Sequence, residues 1–330
     1  MKKPLIVLTG PTAVGKTKLS IALAKAVNGE IISADSMQVY RHMDIGSAKI
    51  TPEEMDGVPH HLVDVLEPTE DFNIVLFQQM AKDAMDKIYD KGRIPILVGG
   101  TGFYIQSVTR DIDFTSSDQD EHYRRELEEL AEQKGPAFLH DMLAKVDPKS
   151  AEDIHENNVK RVIRALEFYK QNGTRISEHN EEQKEHTSPY ALAYFVLNAP
   201  RPLLYERIDT RVDEMLKNGL TEEVKKLREM GCHRGMVSMQ GLGYKEILDW
   251  MDGNYSYEEA VRVLKRDTRH FAKRQLTWFR RERDVRFLYL PEFDNDLVRR
   301  LIANIKVVSA DKLLIQFQSG IVMEQEIRYD

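Results

Sequence analysis

The chain has 330 residues, 42% of them hydrophobic, a formal charge of −7 and one cysteine, Cys232. That much apolar material fills a substantial core, a lone thiol excludes an internal disulfide framework and fits a reducing cytoplasm, and the acidic balance argues against a protein coated in nucleic acid. No stretch is apolar for long enough to span a bilayer, and the run at 5–8 after Met-Lys-Lys is too short for a secretion signal, so the expected location is cytoplasmic with no membrane partner.

Residues 5–8 form an apolar run stopped by Gly10-Pro11, and residues 16–27 carry apolar side chains at 19, 22, 23, 26 and 27, the spacing of a helix face. This reads as strand, loop, helix. Ile31-Ile32 makes a second buried strand ending at Asp35, residues 73–89 have helical spacing, and residues 94–98 form a third strand running into GGTGFY. The alternation predicts an α/β fold, a P-loop NTPase-like parallel sheet flanked by helices. From 113 to 190 the chain turns highly charged with few β-branched residues, and HYRRELEELAEQK and NNVKRVIRALEFYK predict a mainly helical insertion domain between core segments 1–112 and 191–310. ALAYFVLNA at 191–199 returns to the sheet, helices start at Arg201, Thr221 and Tyr257, and VRFLYL at 285–290 reads as a strand. Residues 311–330 form a C-terminal tail without assigned function, with a hairpin expected to turn at Ser319-Gly320.

Gly10, Pro11, Thr12, Ala13, Val14, Gly15, Lys16 and Thr17 match the full G-x4-G-K-[ST] pattern in its strand-to-helix context. Backbone N–H groups and the helix N-terminus gather phosphate oxygens there, Lys16 adds a point charge, and Thr17 offers a hydroxyl to Mg²⁺. A hydrolysing NTPase also needs a carboxylate at a neighbouring strand end. The strand at 94–98 ends instead in Gly99-Gly100-Thr101-Gly102, which disfavours an ATPase or GTPase. The remaining carboxylate is Asp35, followed by Ser36, Met37 and Gln38; it suits a general base, a metal ligand or a helix cap. A small-molecule or nucleoside kinase with Asp35 as base, or an RNA-binding nucleotide switch, stays open on these grounds.

Between Arg262 and Arg283 nine Lys or Arg stand against two acids, a net +7 inside an acidic whole. Arg262, Arg266, Arg269, Lys273 and Arg280 recur on one helical face, with Leu264, Phe271 and Trp278 on another, the pattern of an RNA phosphate surface. Lys160, Arg161 and Arg164 are a second basic group. His60-His61 does not read as a metal pair, because adjacent strand residues point to opposite faces.

GPTAVGKT, ADSMQVYR, GSAK at 46–49, HHLVD at 60–64, GGTGFY at 99–104, RVIRALE at 161–167, GLGYKE at 241–246 and KRQLTWFR at 273–280 together resemble the bacterial tRNA dimethylallyltransferase family, in family order. Ser47 stands where Thr is usual and Phe103 where Leu is. The resemblance implies transfer of a dimethylallyl group from dimethylallyl diphosphate to the exocyclic 6-amino group of the adenosine beside the anticodon, with the loop holding the departing diphosphate. It implies Mg²⁺ as cofactor, the tRNA anticodon stem-loop as partner, and a monomer. Asp35, Thr101, Lys16 and Arg211 are then the catalytic residues. The RNA contacts implied are Asp35, Ser36, Met37, Gln38 and Thr101; Arg124, Lys160, Arg161 and Arg164 of the insertion; Gly243, Tyr244 and Lys245; and Arg266, Lys273, Arg274, Gln275, Trp278 and Arg280. The chemistry agrees: cationic donors favour a leaving diphosphate as its charge develops, and a carboxylate can relieve a weakly nucleophilic amine of its proton.

Overall fold

The structure, a computed structural model, describes residues 2–114, 121–289, 301–309, 312–317 and 320–326. The chain forms two compact units, one of Met1–Thr109 with Ser188–Asp330, the other of Arg110–Thr187. The first opens with β1 (Pro4–Thr9), α1 (Lys16–Val27), β2 (Gly29–Ala34), the single turn α2 (Pro52–Met55), β3 (His60–His61), α3 (Ile74–Asp90), β4 (Ile94–Gly99) and α4 (Gly102–Thr109). The second holds α5 (Glu121–Lys134), α6 (Pro136–Val146), α7 (Pro148–Asp153), α8 (Val159–Asn172) and α9 (Ile176–Glu185). The first then resumes with β5 (Ala191–Asn198), α10 (Arg201–Lys217), α11 (Leu220–Glu229), α12 (Tyr244–Met251), α13 (Tyr257–Phe279) and β6 (Val285–Tyr289). Three further strands follow, β7 (Ile302–Ser309), β8 (Lys312–Phe317) and β9 (Val322–Glu326).

The main sheet runs β3-β2-β4-β1-β5-β6 with every pair parallel. Both faces are covered, which is why its central strands are continuous apolar runs without polar alternation. Successive side chains still part to opposite faces. Leu5 and Val7 enter one core with Ile32, Leu97, Phe77 and Tyr244, while Ile6 and Leu8 enter another with Ile31, Ile96, Phe195 and Leu23. The register pairs Thr9 with Gly99 and Ala34 with Gly99, so the loops leaving β1, β2 and β4 emerge along one edge of the sheet.

β7, β8 and β9 form an antiparallel sheet. Ile315, Phe317 and Met323 enter the same core as Phe195, with the Phe195 and Phe317 rings 5.8 Å apart. The expected boundary at residue 311 thus falls between two strands of one sheet, and Ile315, Phe317 and Met323 are anchored by burial. Gly320 has φ +85°, while its expected turn partner Ser319, and Leu290 of the strand-like run at 285–290, lie outside the described residues.

The second unit is helical around Leu127, Leu139, Leu143, Val162 and Leu166. Its buried Asp147 accepts from the backbone N–H and the hydroxyl of both Ser150 and Ser177, pinning the starts of α7 and α9 to one carboxylate. Those four bonds hold its pKa down against burial, which acts in the opposite direction.

Candidate active site

The phosphate loop joins β1 to α1. Lys16 opens the helix, and its Nζ donates to the carbonyls of Gly10 at 3.0 Å and Pro11 at 2.9 Å. Burial, helped by the neighbouring charge of Arg211, lowers its pKa to about 8; Asp35 opposes the shift. Arg211, one of the α10 side chains, reaches Thr12 Oγ1 at 3.5 Å, and burial lowers its pKa too. The Thr17 side chain stands in an exposed residue of the first turn of α1.

Asp35 follows directly from β2. Its Oδ1 accepts the N–H groups of Met37 at 2.9 Å and Gln38 at 3.4 Å, a local turn that fixes the carboxylate. Asp35 acts electrostatically on Lys16, Arg211 and Tyr104, so it belongs to the same charged cluster as the phosphate loop. From the end of β4, the N–H of Thr101 donates to the Ala34 carbonyl at 3.3 Å, and its own carbonyl accepts from Ile105 as α4 begins. The sequence-expected Lys16, Arg211 and Asp35 are thus gathered at one sheet edge, with Thr101 tied to the last residue of β2.

Three residues expected at the RNA are committed inward. Gln38 Nε2 donates to the carbonyl of Ala48 at 3.2 Å, and its Oε1 accepts from the Ser33 hydroxyl at 3.2 Å. Tyr244 is fully buried: its hydroxyl donates to Glu223 Oε1 at 2.8 Å and accepts the N–H of Ser47 at 3.1 Å. Glu223 also accepts the N–H groups of Asp44, Ile45 and Gly46 at 2.8–3.1 Å, so one carboxylate shapes that loop. Gln275, 6% exposed, accepts from Thr12 N–H at 2.9 Å and donates to Gly100 O at 3.0 Å. The physical reason is shared. Tyr244 and Gln275 are buried and Gln38 is half-buried, and an unpaired polar group there costs free energy.

The glycine-rich turn after β4 is shaped by α13. A Cβ on Gly100 would lie 2.1 Å from Gln275 Nε2, and one on Gly102 would lie 2.2 Å from the Trp278 indole, so neither position admits a side chain without a shift. Trp278 is half-buried, edge-on to Phe103 at 6.0 Å, and its indole N–H is buried without a hydrogen-bond partner among the described residues. Gly243 gives its N–H to Glu246 Oε2 at 2.8 Å at the start of α12, and the adjacent Lys245 lies 3.5 Å from Glu246.

The basic helix divides into two halves. Arg262 pairs with Glu259, Arg266 with Asp267, Lys265 with Asp213, and Arg269 makes a bidentate pair with Asp209 of α10. Lys273, Arg274, Arg280, Arg281 and Arg283 are exposed, and among the described residues none of them has an ion pair. Arg274 packs over the Phe271 ring, 5.8 Å from its centroid. In the second unit, Arg124 donates twice to the buried Glu167, at 2.9 and 2.8 Å, Lys160 and Arg161 are exposed on α8, and Arg164 is half-buried.

His60 Nδ1 lies 2.8 Å from the carbonyl of Val58, and His61 Nε2 lies 2.7 Å from the fully buried Glu30, which Lys91 and Arg93 also reach. Among the described residues the two rings share no hydrogen-bond partner. Among the described residues no three His, Cys, Asp or Glu cluster as metal ligands. Sequence reasoning missed Glu223. Its signal was available: residues 220, 223, 224 and 227 form one apolar helical face, and an acid on such a face needs partners.

A parallel sheet whose first strand turns through a phosphate loop into a helix, with a carboxylate after the second strand and cations around both, defines a P-loop-type α/β protein. A family model described as "IPP transferase" matches residues 38–282, and one described as "Isopentenyl transferase" matches residues 3–67. The chain belongs to the IPP transferase family. It is 64% identical over 294 residues to a tRNA dimethylallyltransferase of Lachnoclostridium phytofermentans, covering 89% of this chain and 94% of the relative. It is 50% identical to that of Carboxydothermus hydrogenoformans, covering 87% and 92%. Among solved structures it is similar to the full-length tRNA isopentenylpyrophosphate transferase of Bacillus halodurans, with TM-score 0.69, 48% identity, and 90% and 94% of the two chains covered. It is also similar to a eukaryotic dimethylallyltransferase acting on tRNA, with TM-score 0.77, 33% identity, and 88% and 74% covered.

Proposed function

We propose that the protein transfers a dimethylallyl group from dimethylallyl diphosphate to the exocyclic 6-amino group of the adenosine 3′-adjacent to the anticodon in tRNA, releasing diphosphate. The observation that carries this reading is the meeting of a cationic phosphate loop, Lys16 with Arg211, and a carboxylate, Asp35, at one sheet edge. The names of the relatives support it.

In this reading the loop N–H groups, Lys16 and Arg211 bind the diphosphate more tightly as the carbon–oxygen bond breaks and negative charge gathers on the leaving oxygen. The amine forms the new carbon–nitrogen bond, and Asp35 accepts the proton it loses. The Asp35 carboxylate is held for that role by the N–H groups of Met37 and Gln38. Thr101, beside it in the turn after β4, orients the reacting region. A magnesium ion fits the donors present, because Mg²⁺ takes one or two protein oxygens and completes its shell from substrate phosphates and water; Thr17 would hold it, and when bound it neutralises part of the diphosphate charge.

The exposed Lys273, Arg274 and Arg280 grip the RNA backbone near the unstacked base, and Lys160 and Arg161 add phosphate contacts from the second unit. Catalysis by a monomer in the cytoplasm completes the reading. Among the described residues no helix is long and apolar enough to cross a membrane. The test is incubation with dimethylallyl diphosphate, Mg²⁺ and unmodified tRNA, followed by mass spectrometry of the nucleosides. An adenosine heavier by one C5H8 unit is expected; ATP turnover with unchanged tRNA would replace this reading by a kinase.

A further inference from the structure

The proposed reaction requires two loops in register, one holding the leaving group and one presenting acceptor-side groups. One side chain spans them. Gln275 accepts the N–H of Thr12 in the phosphate loop at 2.9 Å and donates to the carbonyl of Gly100, beside Thr101, at 3.0 Å. These contacts cross 263 and 175 positions of sequence, so neither follows from local helix geometry.

Packing does not explain the residue. Gln275 shares the buried stripe of α13 with Ala272 and Phe279, where an aliphatic side chain would carry no polar burden. A carboxamide there is tolerated because both of its polar atoms are satisfied, and both partners belong to the site. The loops are matched to it. Gly100 leaves room that a Cβ, 2.1 Å from Nε2, would fill. Thr12 is clamped from two sides, its N–H by Gln275 and its hydroxyl by Arg211. Below them the Thr9 hydroxyl donates to Gly99 O at 2.6 Å and ties the strand ends, so Gln275 supplies the second tie one step closer to the substrates. The adjacent Lys273 and Arg274 are exposed on the same helix.

We infer that Gln275 is a positioning residue, which fixes the phosphate loop against the turn after β4 and references both to the helix that carries the exposed cations. The inference rests on the transfer reaction proposed above. It assigns Gln275 no contact with either substrate. Its loss therefore lowers turnover more than it lowers the affinity for either substrate alone, because a misplacement of about 1 Å costs on the order of 10²-fold in rate.

The test compares wild type, Gln275→Met and Gln275→Glu. Gln275→Met, similar in volume and without either hydrogen bond, is expected to lose about 100-fold in kcat. Its Kd values for an anticodon stem-loop RNA and for inorganic diphosphate, each measured alone, should stay within about threefold of wild type, a difference below about 0.7 kcal/mol. In Gln275→Glu the ionised carboxylate can accept from Thr12 but repels the Gly100 carbonyl, whereas the protonated acid donates to it as the amide does. The ratio of its kcat to that of wild type should therefore rise as pH falls from 8 to about 6, where a buried glutamate regains its proton. A Gln275→Met enzyme with near wild-type kcat, or one losing RNA and diphosphate affinity in proportion to kcat, overturns the inference. A pH-independent Gln275→Glu ratio does the same, and it decides the matter if Gln275→Met does not fold. Absence of prenylated RNA with wild type would instead remove the transfer reaction and this role with it.

Discussion

Lys16 and Arg211 bring two positive charges to the same phosphate loop, and the second helps burial depress the first. The Lys16 ammonium is left with a pKa of about 8, and Asp35 only partly restores it. Such a pair is poorly tolerated without an anion and well satisfied with one, which is the electrostatic preparation a leaving diphosphate needs.

Diphosphate binding should therefore depend on pH in one direction. Below pH 8 the ammonium is charged and affinity for inorganic diphosphate is level with respect to this group; above pH 8 each unit removes up to tenfold, because the bound anion requires the proton that the free site has lost. Calorimetry from pH 7 to 9.5 should show this decline together with proton uptake. In Lys16→Arg, whose guanidinium stays charged, the decline should vanish even if affinity at pH 7 is lower. A wild-type profile that matches Lys16→Arg across the range would take Lys16 out of the binding equilibrium.

Tyr244→Phe separates a structural role from RNA contact. Removing the hydroxyl takes a donor from Glu223 and leaves the Ser47 N–H without its acceptor, at a cost of about 1–3 kcal/mol in unfolding free energy. Urea titration should show that loss. The Kd for stem-loop RNA should change by less than about threefold once the folded fraction is taken into account. A stable variant with markedly weaker RNA binding would return the tyrosine to the interface.

Burial on both sheet faces made the central strands legible, since β1 and β4 need apolar residues at nearly every position. The phosphate loop was legible because its backbone geometry demands its glycines, and Asp35 because the turn after β4 offers no acid. The intramolecular partners of Gln275 and Tyr244 were not legible for a common reason: a helical face can be drawn from sequence, but what packs against it comes from hundreds of residues away. The charge count failed similarly. Nine cations against two acids omitted Asp209 and Asp213 of α10 and Glu259, one turn before the window, which pair with Arg269, Lys265 and Arg262.

That redistribution makes the salt dependence of RNA binding position-specific. Lys273→Ala or Arg280→Ala frees one phosphate contact, so the slope of log K against log salt should flatten by about 0.7–0.9 for each. Arg269→Ala instead breaks a bidentate pair with Asp209, and its main effect should fall on stability, with the slope nearly unchanged. Filter binding between 50 and 300 mM salt distinguishes the two patterns; equal slopes for all three variants would make the division of α13 irrelevant to RNA.

Asp35→Asn gives the sharpest test of the proton acceptor. Asparagine keeps an oxygen able to accept the N–H groups of Met37 and Gln38, so the turn after β2 survives, but the basic oxygen is gone. Turnover should fall by about 10²–10⁴-fold while RNA affinity stays within about threefold. Asp35→Ala loses the base and also leaves two N–H groups without their acceptor, so it should be slow and less stable at once. If the asparagine variant instead turns over at nearly the wild-type rate, the amine must lose its proton elsewhere, and the held carboxylate would serve only to shape the turn and balance the charge of Lys16 and Arg211.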